Sequence, residues 1–292
     1  MMDPGKHFTL IFTFLLAAFC AQSTAWAAQA IPENNLRYPV LLTLDDGSTA
    51  SGFYFNYEAK DLFFVTAKHV LFRKDETGVL KAKSARLLSY PLPVTLTEPV
   101  SITLDLELLN RNGLISVDPE KDVAVIRLTN GEKIMQTVDL VDGVVKDKGF
   151  QGSLGSAGME TVKKFDDILP SNEVFIFGYP TSLGISAKKQ LDVTKPLLRK
   201  GIIAGKNERN KTLILDCPVY YGNSGGPCVE VEEIDPGSRK FNLIGVVSEF
   251  VPFEKKWINI RQGLVNTEIE NSGYSIVEPM DAVLDLVRNQ EK

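Results

Sequence analysis

The sequence from about residue 36 onward predicts an all-β protein, built as an antiparallel sandwich or barrel. Short apolar or alternating runs recur along it, and clusters of turn-forming residues such as 45–48 separate them. The alternation of strands and helices that accompanies a parallel sheet is missing from the sequence. The predicted strands are residues 39–44, 52–57, 62–66, 101–109, 123–128, 173–177, 212–215, 226–231 and 243–248.

The regular strand pattern fails between residues 129 and 172, which predicts a boundary between two halves of about 100 residues each. The stretch contains glycines and serines typical of a flexible connection: Gly149, Gly152, Gly155, Gly158, Ser153 and Ser156. We therefore expect an N-terminal domain at 36–130, a linker at 131–172 and a C-terminal domain at 173–292.

The end of the chain predicts a short amphipathic helix that packs on the core. Its apolar residues follow the i, i+3, i+4, i+7 spacing of one helix face, and a proline stands where a first turn accepts it. These residues are Pro279, Met280, Val283, Leu284 and Val287.

Residues 1–30 have the layout of a secretory signal. Lys6 and His7 precede the apolar stretch 8–21, and two small-x-small sites, 25–27 and 28–30, follow it. A membrane anchor is the alternative, but the stretch is short for a bilayer, which needs about 20 apolar residues. We expect a periplasmic or secreted protein with no stable membrane insertion after signal cleavage.

Charge and ligand content exclude several classes of function. The net charge of -5 and the pI near 5.3 argue against nucleic-acid and membrane-surface partners. Beyond residue 30 only His69, Cys217 and Cys228 could act as soft metal ligands, so we expect neither a metal site nor a cofactor. The two cysteines could form one disulfide or remain buried thiols, and we favour the thiols slightly.

The sharpest local motif is Gly-Asn-Ser-Gly-Gly-Pro at 222–227. A serine nucleophile needs a base to take its proton and backbone N–H groups to bind the oxyanion. Glycines allow the backbone angles that aim such N–H groups, although the run could also be a plain turn between strands. The motif also fits G-x-S-x-G of α/β-hydrolases, so it does not select a fold by itself.

The order of residues along the chain separates these two folds. An α/β-hydrolase has its histidine after the serine, whereas no histidine follows Ser224. His69 comes before it, at the end of an apolar strand, and Asp122 opens another buried-looking strand. Each of the two is weak alone, but the order His, Asp, Ser is that of chymotrypsin-like enzymes.

Five segments resemble the bacterial branch of the chymotrypsin-like serine proteases, in particular the protease domain of the Deg (HtrA-like) family. They lie in the expected order between about residues 38 and 287 and comprise 66–70, 118–126, 174–180, 216–227 and 273–279. The resemblance implies two six-stranded antiparallel β-barrels with the active site between them. It also implies a catalytic triad of His69, Asp122 and Ser224, with an oxyanion hole formed by the N–H groups of Gly222 and Ser224.

The sequence departs from this family in ways that affect regulation and specificity. The chain stops soon after the helix, so we expect no PDZ domain, and Asn223 replaces the aspartate that pairs with a newly cut N-terminus in trypsin-type zymogens. Pro218 stands where trypsin-like enzymes keep an acid. We expect a small-to-medium apolar residue at the cleaved bond, with a substrate-binding set of Val219, Tyr220, Ser248 and Phe250.

The function predicted from sequence is therefore a serine endopeptidase that acts on protein or peptide substrates. A catalytically silent or latent peptide-binding protein of the same fold is the main alternative, with Phe250 in the pocket strand as the feature that favours it. An esterase would use the same acyl-transfer chemistry, but no lipid-binding feature supports that interpretation.

Overall fold

The computed structural model describes residues 31–74, 78–91, 98–130, 139–147, 154–180 and 190–291. The chain divides into two compact units, Met1–Pro32 and Glu33–Lys292, and the strands and helices described all lie in the second. The expected secretory signal at 1–30 lies outside the described residues, as do Gly149, Gly152 and Ser153 of the expected boundary. No helix in the described part of the chain is both long and apolar enough to cross a membrane.

The first half of this unit forms one curled sheet. Its strands are β1 (Pro39–Leu44), β2 (Thr49–Tyr57), β3 (Asp61–Thr66), β4 (Ser84–Ser89), β5 (Val100–Asp105), β6 (Ile115–Val117), β7 (Ala124–Arg127), β8 (Val144–Lys146) and β9 (Ala157–Gly158). Their order is β6-β7-β3-β2-β1-β4-β5-β8, and β9 pairs in parallel with β2. The remaining pairs are antiparallel, and the inward side chains of the sheet form one apolar core.

The second half is a closed six-stranded antiparallel barrel. It contains β10 (Glu173–Gly178), β11 (Leu197–Asn207), β12 (Thr212–Asp216), β13 (Pro227–Asp235), β14 (Ser238–Asn259) and β15 (Leu264–Pro279). The strands close in the order β10-β11-β12-β15-β14-β13 around a second apolar core. Alternate burial along β11 is the period expected of a strand with one face inward.

The described residues include three α-helices: α1 (Lys68–Leu71), α2 (Leu106–Arg111) and α3 (Met280–Gln290). Short 3₁₀ turns occupy Glu33–Leu36, Met159–Thr161 and Phe165–Asp167. Helix α3 buries the predicted apolar face and contacts strands of both halves, including β6, β7, β14 and β15. The Gln290 amide at its end donates to the Leu114 carbonyl and to Ser116 Oγ, so the helix fastens the two halves together.

The all-β class and the C-terminal helix are confirmed, and the second half is the expected six-stranded barrel. In the first half, residues of the segment expected as a linker add two short strands to the curled sheet. Strand β8 pairs with β5, and β9 pairs with β2. The predicted strand 101–109 was too long: Asp105 caps α2 by accepting a hydrogen bond from Leu108 N at 2.9 Å, and the chain turns helical there.

Candidate active site

His69 lies in α1, directly after the buried strand β3. Its backbone N–H donates to Asp122 Oδ1 at 2.9 Å, and its ring Nδ1 lies 2.6 Å from Asp122 Oδ2. A carboxylate can only accept, so the proton of this contact sits on Nδ1. The other ring nitrogen, Nε2, then carries a lone pair and can act as a base.

Asp122 lies in the tight turn that leads into β7. Asp118 Oδ1 shapes this turn by accepting hydrogen bonds from the backbone of Glu120 and Lys121. Ser248 on β14 adds a third hydrogen bond to Asp122, from its Oγ to Oδ2 at 2.6 Å. Burial would raise the pKa of Asp122, but the His69 and Ser248 hydrogen bonds and the His69 charge outweigh it and lower the pKa to about 2.

This lowered pKa predicts how acid affects the folded state. The pKa of Asp122 falls from 3.8 to about 2 on folding, so its charge stabilises the fold fully above 3.8 and the contribution is lost as pH falls through 2. The shift corresponds to a contribution on the order of 2 kcal/mol to the free energy of unfolding. Urea unfolding measures this contribution as the difference in the free energy of unfolding between wild type and Asp122→Asn. We expect this difference to be about 2 kcal/mol larger at neutral pH than below about pH 2. An equal difference in the free energy of unfolding at both pH values would contradict the stabilising role of the Asp122 charge.

Ser224 lies in the turn between β12 and β13, next to β14. Its hydroxyl donates to the Ser248 carbonyl at 3.0 Å, and its own carbonyl accepts a hydrogen bond from Ser51 N at 3.0 Å. His69 and Ser224 line the same small cavity, of about 150 Å³, together with Tyr221 and Gly222. Ser248 therefore contacts two members of the predicted triad, Asp122 through its hydroxyl and Ser224 through its carbonyl.

The backbone around Ser224 is held in a left-handed turn that favours glycine. Gly222 has φ 96° and Gly225 has φ 86°. A Cβ on Gly225 would lie 2.1 Å from the Ser51 carbonyl oxygen, so no larger residue fits there. No described residue accepts a hydrogen bond from the N–H of Gly222 or of Ser224.

Ser51 is a site residue that the sequence did not suggest. It is fully buried on β2, and its Oγ donates to the Gly222 carbonyl at 2.6 Å while accepting from Tyr179 N at 2.9 Å. The hydrogen bond to Gly222 fixes the peptide that precedes Asn223. A serine that is 171 positions from its partner gives no local signal of such a role.

The predicted substrate-binding residues occupy different environments. Val219 is buried in the core of the barrel, and Phe250 packs against that core. The Tyr220 ring lies under the Arg199 guanidinium, 4.6 Å from it. Tyr221, which we did not predict, is 72% exposed and meets the Phe250 ring edge-on at 6.2 Å.

An ion pair between a half-buried lysine and a buried glutamate links the aspartate turn to the barrel. Lys121 Nζ lies 3.3 Å from Glu278 Oε2 on β15 and donates to the Lys211 carbonyl at 3.0 Å. Burial raises the pKa of Glu278, although Lys121 and a hydrogen bond from the Asp122 backbone oppose the rise. The residue next to Asp122 is thus fixed to the second half of the molecule.

The two cysteines play no part in this arrangement. Cys217 and Cys228 are both free and buried in the barrel core. Burial raises the pKa of Cys217 to about 11, so its thiol is not a nucleophile at neutral pH.

The sequence matches a known family over more than half of its length. The model of the trypsin-like peptidase domain matches residues 50–233, which include His69, Asp122 and Ser224. The chain belongs to the trypsin-like peptidase family. The order of its predicted triad and its antiparallel sheets agree with this family and not with an α/β-hydrolase.

Solved structures similar to this trypsin-like peptidase include two other proteases. A variant of the HtrA-type protease AlgW with a tripeptide is 16% identical, with a TM-score of 0.45 over 88% of this chain and 62% of that one. An inactive form of Rv3671c from M. tuberculosis is 13% identical, with a TM-score of 0.46 over 91% of this chain and 93% of that one. The chain thus spans less than two thirds of the AlgW chain. No curated protein matches the sequence significantly.

Proposed function

We propose that the protein is a serine endopeptidase that hydrolyses peptide bonds through an acyl-enzyme intermediate, with His69, Asp122 and Ser224 as its triad. The observation that carries the proposal is the 2.6 Å contact between His69 Nδ1 and Asp122 Oδ2, beside a cavity that His69 shares with Ser224. A hydrogen bond of this kind fixes the tautomer that a general base needs. The family match supports peptidase chemistry in general.

In the first half of the proposed reaction, Ser224 Oγ attacks the carbonyl carbon of the scissile peptide bond and passes its proton to His69 Nε2. The N–H groups of Gly222 and Ser224 donate to the oxyanion that forms. The charged imidazole, stabilised by Asp122, then returns the proton to the leaving amine as the C–N bond breaks. The product is an acyl ester on Ser224 and a free amine.

In the second half, water replaces the amine. His69 takes a proton from the water, the hydroxide attacks the ester carbonyl, and the proton goes back to Ser224 Oγ as the ester bond breaks. The Ser224 hydroxyl donates to the Ser248 carbonyl in this structure, so attack requires it to rotate toward His69.

The proposed substrates are proteins or peptides with an apolar, small-to-medium residue at the cleaved bond. Phe250 and Tyr221 present apolar rings beside the cavity of Ser224, and no acidic side chain among the described residues lines that cavity. We further propose that residues 1–30 export the protein to the periplasm or the exterior, as their sequence layout indicates.

Labelling with a fluorophosphonate probe tests whether the site is catalytic. We expect covalent labelling of the folded protein at Ser224, and labelling slowed by a factor of about 10³ or more in His69→Ala, because the serine then lacks its base. A folded wild type that reacts no faster than the heat-denatured protein would instead support the silent or latent binding protein. The orientation of the Ser224 hydroxyl toward Ser248 is the observation that favours that second candidate.

A further inference from the structure

The second barrel carries a two-stranded ribbon that extends beyond its other strands. Strands β14 and β15 pair with each other from Pro252 and Asn271 to Asn259 and Leu264. The partners on either side stop earlier, since β13 pairs with β14 only up to Val246 and β12 pairs with β15 only over 274–277. In the described part of the chain, residues 252–271 therefore have no other strand beside them.

The end of this ribbon is strongly apolar and open to solvent. Five large apolar side chains are each between 62% and 90% exposed: Trp257, Ile258, Ile260, Leu264 and Val265. Solvent exposure of so many neighbouring apolar groups is unusual for a soluble surface and indicates an interaction site. We call residues 257–265 the ribbon tip.

The apolar side chains of the ribbon tip lie on both of its faces. Residues paired across an antiparallel ribbon share a face, and neighbours along one strand alternate. The pairs Ile258 with Val265 and Asn259 with Leu264 therefore place Val265 and Leu264 on opposite faces, with Trp257 on the face of Leu264. A flat protein surface or groove would cover one face and leave the other exposed. A medium that surrounds the tip covers both.

The charge at the ribbon tip indicates what kind of medium could surround it. The ribbon tip carries one charge, the positive one of Arg261, while Lys255 and Lys256 lie closer to the barrel among Glu254, Glu268 and Glu270. Arg261 makes no ion pair with any described residue, whereas Lys255 pairs with Glu270 and Lys256 with Glu254 toward the ribbon base. Basic residues beside an exposed tryptophan and aliphatic side chains complement anionic phosphate headgroups above an acyl layer.

We propose that the ribbon tip is a peripheral membrane-docking site that inserts into the interface of an anionic phospholipid layer. The four residues from Trp257 to Ile260 extend about 10 Å at the rise of a β-strand, which matches the depth of the headgroup–acyl boundary. Trp257 lies where the indole ring is favoured, at the level of the headgroups. The whole-chain charge predicted no membrane-surface partner, whereas the ribbon tip carries a single charge, the positive one of Arg261. Nothing in the proposal depends on the catalytic triad.

Fluorescence of Trp257 tests the docking directly. The sequence contains one other tryptophan, Trp26, so Trp26→Phe in the full chain leaves Trp257 as the sole fluorescent reporter. We expect vesicles of equal parts phosphatidylcholine and phosphatidylglycerol with brominated acyl chains to quench its fluorescence roughly twofold, and phosphatidylcholine vesicles to quench it much less.

A matched pair of variants assigns the effect to the ribbon tip. Ile258→Asn with Ile260→Asn should abolish the quenching, whereas Leu169→Asn, a change at a similarly exposed leucine outside the ribbon, should keep it. Unchanged thermal unfolding midpoints check that the variants fold. Absence of quenching in anionic vesicles, or equal quenching in the double variant, would overturn the proposal. The proposal would also be overturned if vesicles caused no quenching and the wild type self-associated while the double variant did not. The ribbon tip would then bind a second copy of the chain.

Discussion

Replacement of Ser224 by alanine is expected to lower the rate of peptide hydrolysis by a factor of about 10⁴ or more. The change removes the only atom that forms the proposed acyl ester, and the oxyanion donors alone leave a small residual rate. The fold should survive, because the hydroxyl makes one hydrogen bond, to the Ser248 carbonyl, worth about 1 kcal/mol. Initial rates on a quenched-fluorescent peptide measure the loss of activity, and the unfolding midpoint measures the change in stability.

Ser238→Ala is the matched control for this variant. Ser238 is exposed at the turn between β13 and β14, so the same chemical change there should leave the rate within about twofold of wild type. Hydrolysis that persists in Ser224→Ala would mean that another group is the nucleophile. The buried cysteines are poor substitutes, because burial suppresses their ionisation.

Asp122→Asn should lower kcat by a factor of about 10⁴ with little change in KM. The asparagine can keep a similar shape, but its amide would donate to His69 Nδ1 and move the imidazole proton to Nε2. That tautomer has no lone pair facing the serine proton. The loss would therefore come from the wrong tautomer of His69 and not from displacement of the side chain.

Asp118→Asn is the control for the aspartate turn. Asp118 lies in the same turn and accepts two backbone hydrogen bonds, and it makes no hydrogen bond to His69. The amide oxygen of asparagine can accept the same bonds, so we expect less than about a tenfold change in kcat. Equal losses in Asp118→Asn and Asp122→Asn would show that the turn matters only for folding.

Much of the fold was predictable because it depends on local patterns. Alternating apolar residues and turn clusters indicated most of the strands, and the spacing of Met280, Val283 and Leu284 indicated the terminal helix. The strand predicted to run to Leu109 was wrong beyond Asp105, since apolar runs fit a strand and a short helix equally well. The extra strands of the first sheet were missed because β8 and β9 have only three and two residues.

The candidate site was predictable only in part, for a related reason. The residue types and the order His69, Asp122, Ser224 indicated the chemistry, and the structure brings His69 into hydrogen-bond contact with Asp122. The supporting contacts came from elsewhere in the chain: Ser248 bridges Asp122 and Ser224, and Ser51 holds the Gly222 carbonyl. Ser248 was predicted only as a substrate-binding residue, and Ser51 was not predicted at all, because no local pattern shows which distant groups a serine will contact.

The sequence by itself determined the all-β class, the terminal helix and the three residues proposed as the triad, because periodicity, turn chemistry and residue order are properties of the chain. The tertiary structure alone decided how the strands close, with one curled sheet and one six-stranded barrel. It also decided which hydroxyls and carbonyls surround Asp122 and Ser224, and that apolar residues of β14 and β15 reach solvent. Those features depend on contacts between distant residues, and an apolar strand has the same sequence pattern whether a neighbour covers it or not.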